Sequence, residues 1–285
     1  MNLTKSWGRR PSLDEDGLHS GDAGPMEIGA GAGMGSLFSL SGRMLVTGGT
    51  RGIGRAISLR FARAGATVIS NYIRDEKAAA ELKFLAAQEV LPIELCRADL
   101  TSPRGLEQIE HAVKDLGEPL SGFVHCAATG VHRPLAELTK RHLEWTLSLN
   151  VTAFFELVKI LTPYFSETAS VIAVSSMGAT RALPNYSFIG ASKGALTALA
   201  RHLAVELAPK GIRVNILVPG AVLTDAWKAI PDSEQRLAEA ARRAPIGRLV
   251  TPDEVASVAQ FLCSQAASGI VGHTLCVDGG ASIIG

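Results

Sequence analysis

Tyr186 and Lys193 are the residues best suited to acid chemistry in this chain, because they lie seven residues apart at the start of an Ala/Leu-rich segment. Seven residues make about two turns of an α-helix, so both side chains project from one side. A phenol beside an ammonium has a lowered pKa, since the cation favours the phenolate. The pair predicts a proton donor for an oxygen that gains negative charge during a reduction. A Tyr and a Lys on one helical face more often serve packing and solvation, so the pair needs support from the rest of the sequence.

A strand and a helix have to position this pair. The apolar run at residues 171–174 has the length and composition of a buried parallel strand. Pro184 suits the first turn of a helix, because no N–H donor is needed there. The sequence therefore predicts a buried strand followed by a helix that carries Tyr186 and Lys193.

Three glycines, Gly48, Gly52 and Gly54, follow a short strand at residues 44–46 and open a helix that runs to Arg63. Glycine at these places allows a tight turn, a close approach of the backbone to a pyrophosphate, and close packing of helix on strand. The N-terminus of the helix then faces the phosphates. A lone glycine-rich turn says little, but the strand before it and the helix after it predict a dinucleotide site.

The end of the second strand bears on the choice of cofactor. An acidic residue at this place usually binds the free ribose 2′-OH of NAD. The second predicted strand, residues 67–70, runs on through residues 71–74 without a carboxylate. Arg51 and Arg74 are available instead, and a guanidinium suits a phosphate. The sequence favours NADP(H), with two merely solvated arginines as the alternative.

Strands and helices alternate along the remaining chain. Seven strands and about six helices predict an α/β fold, a Rossmann-type doubly wound parallel sheet with helices on both faces, in one domain over residues 41–285. Residues 1–40 are rich in Gly, Ser and Asp without periodicity and predict a disordered tail. The further strands are predicted at residues 92–96, 122–126, 171–174, 210–218 and 274–277, and the further helices at 75–88, 103–116, 139–164 and 252–264.

Two further places have unusual residue types. Ala127 and Ala128 follow the fourth strand, where small residues leave room for a flat ring. Asn150 lies in the middle of the helix predicted at 139–164, where asparagine has a poor propensity. It is either tolerated on a wet face, or it bends the helix and orders a water beside the active site.

Composition narrows the class of protein. The 285 residues have a net charge of +1, with 47% hydrophobic and 19% charged residues, which gives no reason to expect nucleic acid or a membrane as partner. No apolar run reaches the roughly 20 residues that span a bilayer. The segment before residue 41 lacks the apolar core of a secretory signal, and acidic residues interrupt any mitochondrial presequence. The four cysteines show neither metal-ligand spacing nor a disulfide framework, so we expect no metal site and buried, reduced thiols in a cytoplasmic protein.

Several short motifs occur along residues 41–285, and together they resemble those of the short-chain dehydrogenase/reductase family. The resemblance implies NAD(P)-dependent oxidoreduction, with Asp99 near the adenine, Lys193 on the nicotinamide ribose and residues 219–224 around the carboxamide. The motifs are Thr47-Gly-x3-Gly-Ile-Gly54, Asp99-Leu100, Asn150, Ser176, Tyr186, Lys193, Val214-Asn215, Pro219-Gly220 and Val277-Asp-Gly-Gly280. The expected cofactor-binding residues are Gly48, Thr50, Arg51, Gly52, Ile53, Gly54, Arg74, Asp99, Leu100, Cys126, Ala127, Ala128, Lys193, Pro219, Gly220, Val222 and Thr224.

The tyrosine departs from the commoner members of this family, which place it four residues before the lysine. Ile189 occupies that position here, and Tyr186 gives the spacing Tyr-x6-Lys. This spacing and the strand end at residues 123–126 resemble the enoyl-acyl-carrier-protein reductases of bacterial fatty-acid synthesis, whereas Asn150 resembles the ordinary pattern. The mixture most resembles the divergent, NADPH-dependent enoyl reductases. Tyr186 lies about 4.5 Å further along the helix axis, so its hydroxyl should meet the substrate oxygen from another direction.

This resemblance implies reduction of a trans-2-enoyl thioester by NADPH, on acyl carrier protein or coenzyme A, in fatty-acid-type synthesis. The expected catalytic residues are Tyr186, Lys193, Ser176 and Asn150. Ser176 is either a substrate contact or a filler. Two other functions stay open: reduction of 3-oxoacyl thioesters or other carbonyl compounds, and a non-catalytic NADP(H)-binding sensor.

Residues 221–245 should shape the substrate pocket, as loops beyond the strand carboxyl ends do in this architecture. The resemblance also implies a homotetramer joined through the helices of Asn150 and Tyr186. The residues expected to line an acyl channel are Val222, Leu223, Trp227 and Ile230, with packing of a lid helix as the alternative. Those expected to meet an acidic carrier protein are Lys228, Arg236, Arg242 and Arg243, with a solvated helix face as the alternative. Those expected to permit helix contact are Ala191, Ala195, Ala198 and Ala204, with ordinary core packing as the alternative.

Overall fold

Short apolar segments form seven parallel strands in the computed structural model, which describes residues 37–115, 117–224, 227 and 232–284. The strands in this part of the chain are β1 (Arg43–Thr47), β2 (Thr67–Tyr72), β3 (Ile93–Arg97), β4 (Leu120–His125), β5 (Phe165–Val174), β6 (Arg213–Pro219) and β7 (Thr274–Val277). They pair in the order β3-β2-β1-β4-β5-β6-β7, so the order reverses between β1 and β4. The predicted doubly wound parallel sheet is confirmed.

Eight α-helices connect these strands over the described ranges. They are α1 (Gly52–Arg63), α2 (Glu76–Gln88), α3 (Pro103–Lys114), α4 (Lys140–Leu147), α5 (Ala153–Leu161), α6 (Ser187–Leu207), α7 (Ser233–Arg243) and α8 (Pro252–Cys263). Polar residues explain several of their starts. Asp75 accepts the N–H of Ala78 at the start of α2, and Thr251 forms a capping box with Glu254 at the start of α8.

Alternating residues along the strands supply two cores, one on each face of the sheet. Leu45 and Phe123 belong to a core completed by α3, α5 and α6, whereas Met44 and Val124 belong to one completed by α1 and α8. Consecutive strand residues point to opposite faces, so a parallel strand covered on both faces is apolar throughout. This double burial holds the strand ends, and the polar groups that follow them, in fixed positions.

The helix predicted at residues 139–164 is present from residue 140 to residue 164, but the type of helical turn changes along it. It consists of α4, a π-helical turn at Ser148–Thr152, α5 and a 3₁₀ turn at Thr162–Tyr164. Asn150 lies in the π-helical turn and is fully buried, which excludes the wet face and agrees with the predicted bend. Such turns insert extra backbone into a helix and occur frequently at functional sites.

Residues 37–40, which belong to the tail predicted from the sequence, pack against the domain. Leu40 is buried and its N–H donates to the carbonyl of Ala64 over 2.9 Å. Gln260 donates to the carbonyl of Phe38 over 2.7 Å. The remainder of the predicted tail, residues 1–36, lies outside the described residues.

The four cysteines are free, in agreement with the absence of a disulfide framework. Cys263 is buried, Cys96 and Cys126 are partly exposed, and Cys276 is exposed, so the prediction of burial is wrong for Cys276. No helix in the described ranges is long and apolar enough to cross a membrane.

Candidate active site

The carboxyl ends of β1, β4, β5 and β6 lie side by side in the middle of the sheet. In a parallel sheet the loops after these ends reach the same edge, and a crevice opens where the strand order reverses, here between β1 and β4. Most of the predicted site residues directly follow a strand, which is why the fold brings segments far apart in sequence to this edge.

The turn between β1 and α1 has the backbone that a dinucleotide pyrophosphate requires. Gly48 and Gly52 have φ angles of 62° and 53°, in the left-handed region that other residues rarely adopt. A Cβ on Gly54 would lie 2.1 Å from the carbonyl oxygen of Gly48, so no side chain fits there. Arg51 is extended at the N-cap of α1, which leaves the first N–H groups of the helix for an anion. These residues fit the phosphates of NAD(P).

Thr47, the last residue of β1, ties this turn to the end of β4. Its Oγ1 accepts the N–H groups of Cys126 and Ala127 over 3.2 Å each, and lies 3.1 Å from Nδ1 of His125. A Cβ on Gly48 would lie 3.0 Å from Cα of Ala127, so the two turns are in close contact. The small residues after β4 therefore adjoin the phosphate turn. Of the neighbouring predicted residues, Thr50 is buried, Ile53 is partly exposed and Ala128 is exposed.

Two exposed arginines, one at the start of α1 and one after β2, lie near a carboxylate that is already engaged. Asp75 accepts the N–H of Ala78 over 3.0 Å, and its other oxygen lies 3.7 Å from Arg51. Arg74 immediately precedes this aspartate and is exposed. An anionic group that displaced Asp75 from Arg51 would find a guanidinium there, which fits a ribose 2′-phosphate.

Asp99 follows β3 and is fixed by the turn that leads into α3. Its Oδ1 accepts the N–H and the hydroxyl of Thr101 over 3.0 and 2.7 Å. Leu100 beside it is buried in the core that α3 completes. The turn holds the carboxylate at the edge where the family resemblance implies the adenine.

The segment after β6 reaches back to the glycine-rich turn. Pro219 ends the strand, and a Cβ on Gly220 would lie 2.8 Å from Cα of Asp278, so the backbones touch. The methyl carbon of Thr224 lies 3.3 Å from the position of a Cβ on Gly52. The segment therefore crosses from β6 to the start of α1.

The side chain of Tyr186 is closely packed at the start of α6. Its hydroxyl donates to Oγ of Ser176 over 3.2 Å, and that Oγ also accepts the N–H of Gly178. A Cβ on Gly178 would lie 2.4 Å from Cε1 of the tyrosine, so only glycine permits this ring position. The ring of His132 packs on Tyr186 with 5.3 Å between ring centroids. Ser176 is thus a direct partner of the tyrosine hydroxyl.

The structure corrects the predicted relation between Tyr186 and Lys193. Tyr186 is the N-cap residue of α6, and its carbonyl accepts the N–H of Gly190 over 2.7 Å, so it begins the helix and does not lie within it. Both residues are described, yet the structure shows no hydrogen bond between them. Burial raises the pKa of Tyr186 and the bond to Ser176 opposes this only in part, so the predicted lowering is wrong.

Lys193 is buried in α6 beneath the same edge. Its Nζ donates to the carbonyl of Val174, the last residue of β5, over 2.7 Å. Burial lowers its pKa to about 8, and Cys126 opposes this shift. The charge of Lys193 therefore lies by the ends of β4 and β5, where a cofactor ribose would bind according to the family resemblance.

Asn150 ties the π-helical turn to the loop after β4. Its Oδ1 accepts the N–H of Thr129 over 2.8 Å, and its Nδ2 donates to the carbonyl of Thr129 and to Oγ of Ser192, over 3.0 and 2.9 Å. Both donors of the amide are used. Asn150 therefore acts by holding the loop after β4 against α6.

A family model described as enoyl-(acyl carrier protein) reductase matches residues 48–282, which include the glycine-rich turn, the strands from β2 to β7 and α6. The chain belongs to the short-chain dehydrogenase/reductase family. As a member of it, the protein is an NAD(P)-dependent oxidoreductase.

Relatives within the short-chain dehydrogenase/reductase family divide between two kinds of named activity. A 7α-hydroxysteroid dehydrogenase of Escherichia coli (strain K12) is 34% identical over 244 residues, which cover 83% of this chain and 92% of the relative. A 1-cyclohexenylcarbonyl-CoA reductase of Streptomyces collinus is 31% identical over 246 residues, 84% and 86% of the two chains. An enoyl-[acyl-carrier-protein] reductase [NADH] of Synechocystis sp. is 30% identical over 257 residues, 87% and 100%.

Solved structures of the short-chain dehydrogenase/reductase family match the fold closely. A putative NAD(P)-dependent gluconate 5-dehydrogenase from Beutenbergia cavernae, with bound NADP, has a TM-score of 0.81 and 31% identity. The match covers 87% of this chain and 100% of that one. Its NADP is consistent with the fit of the glycine-rich turn to a dinucleotide.

Sequence reasoning did not assign three residues of this short-chain dehydrogenase/reductase site. Thr47 was quoted in a motif, but its contacts to β4 depend on strand pairing that spans nearly 80 residues. Gly178 and His132 enclose the Tyr186 ring from segments with no periodic pattern. The position of Gly178 two residues after Ser176 is the one local signal that was available.

Part of the segment predicted to line an acyl channel lines a cleft that does not include Tyr186 or Lys193. Leu223 and Trp227 line a surface cleft of about 610 Å³ between α1, α7 and α8, and neither Tyr186 nor Lys193 lines it. Val222 is buried, and its carbonyl accepts the indole N–H of Trp227. The other members of the predicted channel and carrier surface, Ile230 and Lys228, lie outside the described residues, while Arg242 and Arg243 both pair with Glu239.

Proposed function

We propose that this protein reduces the carbon–carbon double bond of a trans-2-enoyl thioester with NADPH. The observation that supports it most is the position of Tyr186, which lies seven residues before Lys193 and donates to Ser176. The position four residues before the lysine holds Ile189, whose Cγ1 lies 2.3 Å from where a Cβ on Gly130 would be. That position is committed to packing, and the two other tyrosines lie in β2 and in the turn before β5. Tyr186 is the phenol available to a substrate oxygen.

The side chains around Tyr186 suit stabilisation of a developing negative charge. Burial raises the pKa of Tyr186, so its phenol stays protonated at neutral pH and can donate a hydrogen bond. In this structure the hydroxyl donates to Ser176, so it has to turn to the substrate oxygen when substrate binds, which leaves the Ser176 hydroxyl to donate to the phenol oxygen. A donor held in place stabilises the charge that builds on the thioester oxygen, and such stabilisation is often the largest single contribution to catalysis. Bound NADPH supplies the hydride that carbon C3 of the substrate accepts, after which C2 is protonated.

Lys193 has a binding role in this proposal. Its Nζ uses one N–H on the carbonyl of Val174, and an ammonium group has three donors in all. The remaining donors are available to the hydroxyl groups of the nicotinamide ribose. Arg51 and Arg74 support the choice of NADPH, since Asp75, which follows Arg74 in sequence, already caps α2 and pairs with Arg51.

Reduction of a carbonyl group is a second candidate. The hydrogen bond between Ser176 and Tyr186 favours it, because a serine and a tyrosine together can bind a ketone oxygen as two donors. The named dehydrogenases among the relatives support it as well. In this case the substrate is a 3-oxoacyl thioester or another ketone, and the hydride adds to the carbonyl carbon.

Crotonyl and acetoacetyl thioesters, each on coenzyme A and on acyl carrier protein, distinguish the two candidates when consumption of NADPH and NADH is followed. We expect the crotonyl compounds to be reduced with NADPH. Tyr186→Phe should lose about 10² or more in turnover, whereas Tyr72→Phe, which removes an exposed hydroxyl, should not. Reduction of the acetoacetyl compounds alone rejects the enoyl assignment. Binding of NADPH without turnover of any thioester supports a sensor.

We also propose the setting that this activity implies: acyl carrier protein or coenzyme A as carrier, fatty-acid-type synthesis in the cytoplasm, and a homotetramer. Exposed apolar side chains support an interface through α4, α5 and α6, among them Trp145, Phe155 and Val205. Ala191 and Ala195 are exposed on α6 and permit close approach of a second helix, whereas Ala204 is buried in the core and has no such role. Light scattering measures the mass of the assembly directly.

A further inference from the structure

His132 lies in the loop after β4 and contacts Tyr186 on the side that Gly178 and Ser176 leave open. The two ring centroids are 5.3 Å apart and the planes are inclined by 55°. The imidazole is half-buried, and the same loop is fixed by the hydrogen bonds between Thr129 and Asn150. The loop is therefore tied to Asn150 three residues before His132, and the imidazole packs on the phenol ring.

The Nδ1 atom of His132 is buried without a hydrogen-bond partner. Other histidines of the chain use this atom: Nδ1 of His125 lies 3.1 Å from Thr47, and Nδ1 of His142 accepts the N–H of Thr139. A buried polar atom without a partner costs free energy, so a native protein usually retains one for a purpose. The ring of His132 packs on that of Tyr186 in the candidate active site, which makes a substrate group the partner to test for this nitrogen.

The imidazole of His132 is neutral in this setting. Burial lowers its pKa, and the nearby Arg236 of α7 lowers it further. A neutral imidazole carries one N–H, which suits a hydrogen bond to a substrate oxygen without placing a second positive charge beside Arg236. A substrate oxygen has two lone pairs, and Tyr186 uses only one of them.

We propose that His132 is a further substrate-contacting residue, whose Nδ1–H donates to the same oxygen that Tyr186 binds, so that the two side chains form an oxyanion hole. This proposal rests on the proposed function of the site. It applies to the thioester oxygen, which becomes an enolate oxygen in enoyl reduction. It applies equally to the keto oxygen, which becomes an alkoxide in ketone reduction. Neither the sequence motifs nor the spacing of Tyr186 and Lys193 contains this residue.

Substitutions of His132 separate the hydrogen bond from the packing of the ring. His132→Phe keeps an aromatic ring against Tyr186 and removes both nitrogens. His132→Asn keeps an amide near the position of Nδ1, whereas His132→Gln places it near the position of Nε2. His111→Phe, on the exposed face of α3, is the matched control for the loss of a histidine.

The steady-state kinetics of crotonyl thioester reduction should then show a fall in kcat of about 10²-fold for His132→Phe. KM should change less, and the dissociation constant of NADPH and the melting temperature should stay near those of the wild type. His132→Asn should recover most of the lost kcat. His132→Gln should resemble His132→Phe, and His111→Phe should resemble the wild type.

Several outcomes overturn the proposal, and they differ from those that reject the proposed function. Should the wild type reduce crotonyl thioesters while His132→Phe keeps kcat within twofold, the oxyanion role is wrong and the function stands. Recovery by glutamine instead of asparagine overturns the assignment to Nδ1. Should the wild type reduce only acetoacetyl thioesters, the enoyl function fails and the same variants test His132 on that substrate. With no turnover of either compound, both proposals fall.

Discussion

The chemistry proposed for Tyr186 depends on how completely its surroundings exclude water. Ser176, Gly178 and His132 contact it on different sides, and the pKa of the phenol is raised because of this burial. Lys193 instead donates a hydrogen bond to the carbonyl of Val174, and burial lowers its own pKa. The two groups thus shift in opposite directions for the same reason, since a low-dielectric site disfavours both phenolate and ammonium.

Lys193 should make the stability of the protein depend on pH. Its pKa is about 8 in the folded chain and 10.5 for an exposed lysine, so between these values the unfolded state binds more protons. The stability contributed by this residue therefore rises with pH across that window. Without nucleotide, the difference in unfolding free energy between wild type and Lys193→Met should shift by about 2 kcal/mol in favour of the wild type from pH 7.5 to about 9.5.

Urea denaturation at the two pH values measures this shift. Lys77→Met, which replaces an exposed lysine on α2, is the control and should show a constant difference from the wild type. A constant difference for Lys193→Met as well would mean that the buried ammonium keeps its ordinary pKa. Saturating NADPH should reduce the shift if the cofactor brings further acceptors to Nζ.

The π-helical turn between α4 and α5 connects the sheet to the catalytic helix. Asn150 within it bonds to Thr129 after β4 and to Ser192 in α6. The carbonyl of Leu149 in the same turn lies 3.2 Å from Nε2 of His125, whose pKa burial lowers to about 3, so this imidazole stays neutral. Because the turn holds both β4 and α6, it determines where the loop with His132 meets Tyr186.

Replacing Asn150 should therefore affect both stability and catalysis. Asn150→Ala leaves the two backbone groups of Thr129 buried without partners, and we expect a loss of about 2–4 kcal/mol in unfolding free energy. Turnover should fall as well, because the loop after β4 is no longer fixed against α6. Chemical denaturation and steady-state kinetics of the same preparation measure the two effects.

Asn215 in β6 provides a matched comparison for this prediction. It is also fully buried and makes two hydrogen bonds, to the carbonyl of Ile270 and from the N–H of His273, away from Tyr186. Asn215→Ala should destabilise the protein by a similar amount while the folded enzyme keeps its kcat. Equal loss of kcat in both variants would show that lost stability, and not the position of the loop, accounts for the effect of Asn150.

Local patterns were sufficient for the fold but not for the site. The turn from β1 to α1 is predictable because its glycines, the apolar strand before it and the helix after it lie within about 20 residues. Asn150 could be identified only as an unusual helix residue, since its partners Thr129 and Ser192 are 21 and 42 residues away. The pKa of Tyr186 shifts in the direction opposite to the predicted one for the same reason, because burial against a distant loop decides it.

The N-terminal boundary of the folded chain is a property of the whole molecule, because residues 37–40 pack on segments over 200 positions later. The ring of Phe38 lies 6.4 Å from that of Phe261, and its carbonyl binds Gln260. Leu40 is buried in the core of α1 and α8. We propose that residues 1–36 are dispensable for the fold and for turnover, while residues 37–41 are not.

Two N-terminal truncations test this boundary. Removal of residues 1–36 should leave the melting temperature and kcat unchanged, whereas removal of residues 1–41 should lower the melting temperature by about 5–10 °C, because the buried side chain of Leu40 and the contacts of Phe38 are lost. Leu40→Ala in the full chain should reproduce about half of that decrease or more, since the leucine provides most of the buried apolar surface. If the shorter truncation already lowers the melting temperature, residues 1–36 contribute to the folded domain and the proposed boundary is wrong.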